Sequence, residues 1–413
     1  MPMGCRRDEP PDDPPRPAAP LPAALEWVDA AIDGLRRRDL LRPRRVRRGR
    51  QGREVDLDGR RLVHFGANDY LGYAGDVRLT RAASRAACAE GFGAGASPLV
   101  SGRSASHAAL ERAVARLLDA DDAMLFPSGY AANAATIAAL VGPGDLVCSD
   151  ARNHASIVDG CRLSRATVAV FPHRDLATLE RMLSAAAPGR RLVVSDSLFS
   201  MDGTVAPLPE LCAVAARHGA MLMIDEAHAT GVFGTHGSGL VEASGCTDGV
   251  HVRVGTLSKA LGASGGFVAG HRDLIRWLEH AARGWIFSTA HPPAVAGAAL
   301  AAIDLIAAEP HRRRELLARA QDVRERLAGK GVAVGGDATQ IVPVVIGPAA
   351  AAVALSARLA EGGVFVPAIR PPSVPEGESL VRAGLSWAHT PDDLDRLVNA
   401  LVEHVPRVRA ART

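Results

Sequence analysis

Between residues 105 and 270, short apolar runs alternate with longer segments of helical period, and this alternation constrains the fold more than any other feature of the chain. The runs at 123–126, 146–149, 167–171, 192–195, 220–224, 252–254 and 266–269 have the length and composition of strands. The segments at 108–118, 129–140, 176–187 and 208–218 read as helices. Regular strand–helix alternation predicts an α/β fold, a largely parallel sheet with helices on both faces. Ligands of such sheets sit in the crevice beyond the carboxyl ends of the strands. Side chains just past those ends are the first candidates for chemistry.

Two strand ends stand out. Met221-Leu222-Met223-Ile224 ends in Asp225, with His228 three residues later, and Val252-Arg253-Val254 leads into Gly255-Thr256-Leu257-Ser258-Lys259-Ala260. A carboxylate at the end of a buried strand is costly unless paired. Asp225 therefore reads as a structural ion pair, as a helix cap, or as the partner of a bound cationic ring. Lys259 lies among small residues and precedes Gly262 and Gly265-Gly266, where a ligand can approach the backbone closely. Desolvation lowers an amine's pKa and favours the neutral, reactive form. An acid and a lysine meeting across strand ends suit pyridoxal phosphate. The lysine holds that cofactor as a Schiff base, and the acid pairs with the pyridinium nitrogen.

Two further turns belong with them. Ser128-Gly129-Tyr130 opens the helix after the 123–126 run, where free N–H groups suit a phosphate. An ordinary N-cap has the same sequence. Asn153-His154-Ala155-Ser156 puts an imidazole past the 146–149 run. It is placed to stack on a ring, or it is simple turn chemistry.

Residues 1–20, rich in Pro, Asp and Arg, carry too few apolar residues to bury and are expected to be disordered. Residues 21–66 are expected to form a helix and strand segment, with Leu25, Val28, Ile32 and Leu35 at helical spacing. Residues 36–53 are densely basic and read as a solvated linker and strand edge, or as a site for an acidic ligand. Their arginines lack interleaved aromatics, which weakens a nucleic-acid reading. Residues 67–290 would make the large domain and 291–330 two linking helices. Residues 331–413 would make a small α+β domain, with strands at 341–346, 364–369 and 381–385.

A net charge of +3 over 413 residues gives no general pull toward nucleic acid. Six scattered cysteines without C-x-x-C spacing argue against a metal knuckle or disulfide framework. They fit a reducing, cytoplasmic setting. Asp304 breaks the longest apolar run, 294–308, so no membrane span is expected.

Several ordered stretches carry a family resemblance. They are Asn68-Asp69-Tyr70-Leu71-Gly72, Leu99-Val100-Ser101-Gly102, Ser128-Gly129-Tyr130-Ala131-Ala132-Asn133, Phe199-Ser200-Met201-Asp202-Gly203, Asp225-Glu226-Ala227-His228-Ala229-Thr230-Gly231 and the lysine window. Together, across about residues 68–401, they resemble the α-oxoamine synthase family of fold-type I pyridoxal phosphate enzymes. The resemblance implies that Lys259 binds the cofactor covalently and acts as the base. It implies that Asp225 faces the pyridine nitrogen, His228 the phenolic oxygen and His154 the ring face. Ser128, Gly129, Tyr130 and Thr256 would serve the phosphate, and Ser200 would lie beside the cofactor. Thr289 would reach the phosphate of a partner subunit's cofactor, which implies a homodimer with shared sites. Arg382 would grip the amino-acid carboxylate, and Arg370 would line the acyl side.

The stretch Ile369-Arg370-Pro371-Pro372-Ser373-Val374-Pro375 resembles the branch that joins L-alanine to pimeloyl-CoA or a pimeloyl-carrier thioester in biotin synthesis. The chain departs from the family in carrying Asp196 where glutamate is usual and Pro98 where arginine is common. It also keeps a single arginine, Arg382, in 380–386 where two often occur. These departures bear on the substrate more than on the cofactor. Other readings are a synthase of the same family with a different amino acid or thioester, an aminotransferase or decarboxylase on the same fold, and a non-catalytic protein that kept the fold. An intact lysine and acid speak against the last.

Overall fold

Side chains that alternate between two apolar layers build the larger unit's central sheet. In the computed structural model, which describes residues 21–410, Leu192 and Val194 enter one core cluster while Val193 enters another. Met223 faces the first cluster, and Leu222 and Ile224 face the second. Successive strand residues point to opposite faces, so strands apolar at every position need cover on both sides. The tail expected at 1–20 lies outside the described residues.

The chain divides into two compact units after Pro43. The first contains a short 3-10 turn, Ala23–Leu25, and a helix, Trp27–Arg37. Leu25, Trp27 and Ile32 of this unit are exposed.

The second unit opens with an antiparallel ribbon of β1 (Arg47–Arg48), β2 (Glu54–Leu57) and β3 (Arg60–His64). The central sheet contains β4 (Asp122–Phe126), β5 (Leu146–Asp150), β6 (Thr167–Phe171), β7 (Arg191–Asp196), β8 (Met221–Asp225), β9 (Val252–Thr256) and β10 (Gly266–Gly270). Their order is β4-β10-β9-β8-β7-β5-β6. Strand β10 runs antiparallel to both neighbours, and the other pairs are parallel. All seven runs expected from the sequence are strands, and the largely parallel sheet follows from them.

Helices Gly129–Leu140, Ala155–Ser164 and Arg272–Ala281 contribute to one layer, and Leu176–Ser184 and Leu208–Arg217 to the other. Gly160 lets two of them touch, since a Cβ there would lie 3.0 Å from the Ala134 Cα. Helices Val77–Glu90 and Ala105–Leu118 join Pro293–Ala308 and Pro310–Gly329 in a further apolar cluster. Among the described residues no single helix is long and apolar enough to cross a membrane.

The C-terminal part holds β11 (Ile341–Gly347), β12 (Val364–Phe365), β13 (Ala368–Ile369) and β14 (Ser379–Gly384), with helices Ala349–Glu361 and Pro391–Ala410. The single strand expected at 364–369 is instead two strands in different sheets. Strand β12 pairs in parallel with β3, whereas β13 pairs with β14 beside β11. Pro367 stands between them and has no N–H to continue a ladder. The Pro367 carbonyl instead accepts from Arg382 N at 3.2 Å.

Candidate active site

Strands β7, β8 and β9 end side by side, and the expected chemistry collects there. Asp196 and Asp225 are register partners at the ends of β7 and β8. Thr256 ends β9, and the loop 257–265 carries Lys259 before the chain returns along β10. That loop is closed by Leu257 N to Gly265 O at 2.9 Å, Gly262 N to Lys259 O at 2.9 Å and Ala263 N to Leu257 O at 2.8 Å. Desolvation, helped by the Arg382 charge, lowers the Lys259 amine to about 8 against the pull of Asp225 and Asp196. A sizeable neutral fraction is thus present near neutrality, as the crevice argument requires.

Asp225 is buried and fixed from two sides. Asn133 Nδ2 donates to its Oδ2 at 2.6 Å, and Ala227 N donates to its Oδ1 at 2.8 Å. The same Asn133 amide contacts Ser156 Oγ at 2.9 Å. A buried bond to a charged group is worth about 1.5–3 kcal/mol. Asp196 Oδ2 accepts from His154 N at 2.8 Å, so the second carboxylate sets the position of the imidazole. Burial, and then the adjacent Asp225 charge, push the Asp196 carboxyl well above its usual range. His154 is exposed, and its Nδ1 lies 2.7 Å from Ser156 Oγ. Desolvation holds this imidazole below its usual range, with Asp225 pulling it up and Lys259 pushing it down.

His228 belongs to a buried network. Its Nδ1 lies 2.6 Å from Tyr70 OH, and its carbonyl accepts from Gln340 Nε2 at 2.8 Å. Arg382, on β14, donates to Tyr70 OH at 3.1 Å and to Asn68 Oδ1 at 3.1 Å. Burial drives the His228 imidazole well below its usual range, and the charges of Lys259 and Arg382 add to this. His228 is therefore neutral at physiological pH. Arg382 is 5% exposed, and no carboxylate of the described residues pairs with it. A buried guanidinium facing only neutral oxygens is prepared for an anionic guest.

The Ser128 turn is built for close approach. Ser128 Oγ accepts from Ala131 N at 3.0 Å, an N-cap. A Cβ on Gly266 would lie 2.5 Å from Ser128 O and 2.6 Å from Gly129 N, so β10 meets this turn only as glycine. A Cβ on Gly129 would touch the Thr256 side chain at 3.4 Å. Thr256 Oγ1 donates to Gly265 O at 2.7 Å and accepts from Ser258 N at 3.2 Å. Ser128, Gly129 and Thr256 thus pack together at the start of a helix, a setting whose free N–H groups suit a phosphate. Tyr130 is exposed and its hydroxyl donates to Asp159.

Several unpaired buried atoms give an independent test of whether a ligand fits. Asn133 Oδ1, Gln340 Oε1 and Arg382 Nε, on three side chains of this network, have no hydrogen-bond partner among the described residues. The acid, the amine of lowered pKa, the neutral imidazole and the glycine-lined cradle match the donor set that pyridoxal phosphate needs.

Ser200 is half-buried in the turn closed by Phe199 N to Thr204 O at 2.9 Å. Thr289 is exposed and lines a small cavity with Pro98, His107 and Glu111. Arg370 is buried at the end of β13. Residues that sequence reasoning did not single out are Asn133, Tyr70, Asn68 and Gln340. The first three stood inside quoted motifs, but nothing local to Gln340 marks it.

Comparison with known proteins agrees with this geometry. The chain matches the aminotransferase class I and II family over residues 60–401. It is 48% identical to the 8-amino-7-oxononanoate synthase of Anaeromyxobacter dehalogenans, covering 93% of this chain and 96% of that one. It is 44% identical to the protein of the same name from Citrifermentans bemidjiense, covering 91% and 96%. A serine palmitoyltransferase from S. paucimobilis, solved with a bound PLP–myriocin aldimine, superposes with a TM-score of 0.88 at 30% identity over 94% of this chain and 98% of that one. The protein is a pyridoxal phosphate-dependent acyltransferase. It belongs to the class I and II aminotransferase family and, within it, to the α-oxoamine synthases of fold type I.

Proposed function

We propose that the protein joins L-alanine to a pimeloyl thioester, forming 8-amino-7-oxononanoate with release of carbon dioxide and the free thiol. The observation that carries this reading is the buried Arg382 guanidinium, which lacks a carboxylate partner among the described residues and whose charge reaches Lys259. Such a pair suits a substrate that bears a carboxylate next to the carbon whose proton is removed. Pyridoxal phosphate, when bound, supplies the electron sink for that carbon.

In this reading Lys259 Nζ holds the cofactor and then takes the α-proton, which its lowered pKa favours. Asp225, fixed by Asn133 and Ala227, keeps a proton on the ring nitrogen. His228, steadied by Tyr70, would face the phenolic oxygen, and His154 would cover the ring face. Ser128, Gly129, Tyr130 and Thr256 would hold the phosphate, with Ser200 beside the cofactor. Arg382 binds the carboxylate, and Arg370 lines the acyl side. Thr289 serves the partner subunit's site in a homodimer. Exposed Phe92, Leu99, Val100 and Phe287 support that assembly, since apolar groups on a surface mark contact sites. We place the enzyme in the cytoplasm.

Alanine and pimelate are favoured because the curated relatives at 44–48% identity share one name, 8-amino-7-oxononanoate synthase. The higher structural likeness to serine palmitoyltransferase supports a second reading, serine with a long acyl thioester, but at 30% identity. Turnover of alanine and serine, each with pimeloyl and palmitoyl thioesters, separates the two when product masses are read. The expected product is 8-amino-7-oxononanoate. A product formed only from serine and palmitoyl thioester overturns the proposal.

A further inference from the structure

Positive charge is concentrated at one edge of the molecule. Residues 44–64 contain eight arginines against three carboxylates, while the whole chain carries a net charge of only +3. The rest of the protein is therefore net acidic. Every residue from 41 to 50 is exposed. Arg44, Arg45, Arg47 and Arg50 have no carboxylate partner among the described residues, whereas Arg53 and Arg61 of the same ribbon pair with Asp393 and Glu54. The Arg47 side chain donates to the Gly49 carbonyl, and Arg45 lies over the Phe365 ring at 5.3 Å.

The position of this edge connects it to the site. Strand β1 pairs with β2, β2 with β3, and β3 with β12. Beyond β3 the chain reaches Asn68 and Tyr70, which hold Arg382 and His228. Beyond β12 it reaches Arg370, five residues past Phe365. One segment thus runs from the arginine-bearing sheet to the partners of Arg382 and His228, and a second runs to Arg370, assigned above to the acyl side. The Arg47 charge is also felt by His64 at the end of β3.

We propose that the exposed arginine edge, Arg44, Arg45, Arg47 and Arg50, docks an acidic carrier protein that delivers the acyl group as a thioester. The inference rests on the acyl-transfer reading above and names the partner of that site. A nucleotide's few phosphates need arginines that converge. Arg47 lies in the edge strand β1, with Arg44 and Arg45 before it and Arg50 after it, all exposed, a spread that suits a broad acidic protein surface. Charges of this kind speed encounter and fix orientation more than they add affinity.

The test uses the full-length holoenzyme and a variant with Arg44, Arg45, Arg47 and Arg50 all changed to Glu. Turnover of alanine is followed with three pimeloyl donors: an acidic acyl carrier protein, coenzyme A, and the small neutral thiol N-acetylcysteamine. Binding of the carrier's unacylated thiol form is measured separately by fluorescence anisotropy. For the unaltered enzyme, kcat/KM with the carrier should fall steeply as ionic strength rises from about 10 mM to about 150 mM, which shortens the Debye length from ~30 Å to ~8 Å. The variant should lose about tenfold or more in kcat/KM and in carrier binding at low salt. It should keep its rate with the N-acetylcysteamine donor, which also shows that it folds. Equal carrier rates in both proteins overturn the proposal, as does a loss confined to the coenzyme A donor. If no donor supports turnover, the acyl-transfer reading fails, and carrier binding still decides the docking surface.

Discussion

The strand-end crevice and the arginine edge are both rich in charge, yet the fold treats them in opposite ways. In the crevice Asp225, Asp196, Arg382 and His228 are buried and held by named hydrogen bonds, and burial pushes the Asp196 carboxyl up and the His228 imidazole down. At the edge Arg44, Arg45, Arg47 and Arg50 stand in water. Burial turns charge into chemistry, because a low dielectric magnifies each interaction. Exposure leaves charge as a long-range field that salt erases. Perturbations of the two regions should therefore differ in kind as well as size.

The largest effect is expected for Lys259→Ala. The purified variant should lack the visible absorption band of the covalently held cofactor. Its turnover should fall by more than the ~10²–10⁴-fold typical of a lost base, since the covalent attachment goes too. A variant that kept both band and rate would remove Lys259 from the mechanism.

Next is Arg382→Ala, which takes away the buried guanidinium and loosens Tyr70 and Asn68. We expect kcat/KM for alanine to drop by ~2–4 kcal/mol, roughly 30- to 1,000-fold. KM for the acyl donor should change little. Steady-state kinetics with each substrate varied in turn would show an error in the assignment as a change on the acyl side instead. Asn133→Ala should be milder. It strips one bond from Asp225, and equilibrium dialysis should find cofactor retention weakened by about tenfold, from ~1.5 kcal/mol.

The pH prediction follows from Lys259. Its amine sits near 8, so the neutral fraction grows about tenfold per pH unit below that value and levels off above it. Stopped-flow measurement of pyridoxal phosphate uptake by the apoprotein should trace that limb. Asp225 raises the lysine's pKa, so Asp225→Asn should shift the limb toward lower pH. A shift toward higher pH would mean that desolvation and charge have been weighed wrongly. The smallest response in the crevice should be to salt, whereas the arginine edge should respond to little else.

How much of this was readable in advance differs between the two regions. Strand positions in the central sheet followed from apolar runs because each strand is covered on both faces. The strand-end positions of Asp225 and Lys259 followed from the same runs, and the carboxyl ends of strands are where such sheets keep ligands. The contacts that hold them did not follow. His228 meets Tyr70 across 158 residues of sequence, and Arg382 meets it across 312. No local pattern encodes a contact at that separation. Asp196 was visible only as a departure from the family, and its bond to His154 N gives it a positioning role that its identity alone did not suggest. The basic stretch was legible as charge, but its link to the crevice needed the pairing of β3 with β12, which the expected continuous strand at 364–369 concealed.

The loop that bears Lys259 has a mechanical consequence. It leaves β9 and returns on β10, adjacent antiparallel strands whose register joins Thr256 to Gly266. The lysine is thus tethered at both ends to a single ladder, like a clasp on a hinge. Covalent loading of its amine should tighten that ladder, and the slowed amide exchange should spread along β10 to its far neighbour β4, well away from the ligand.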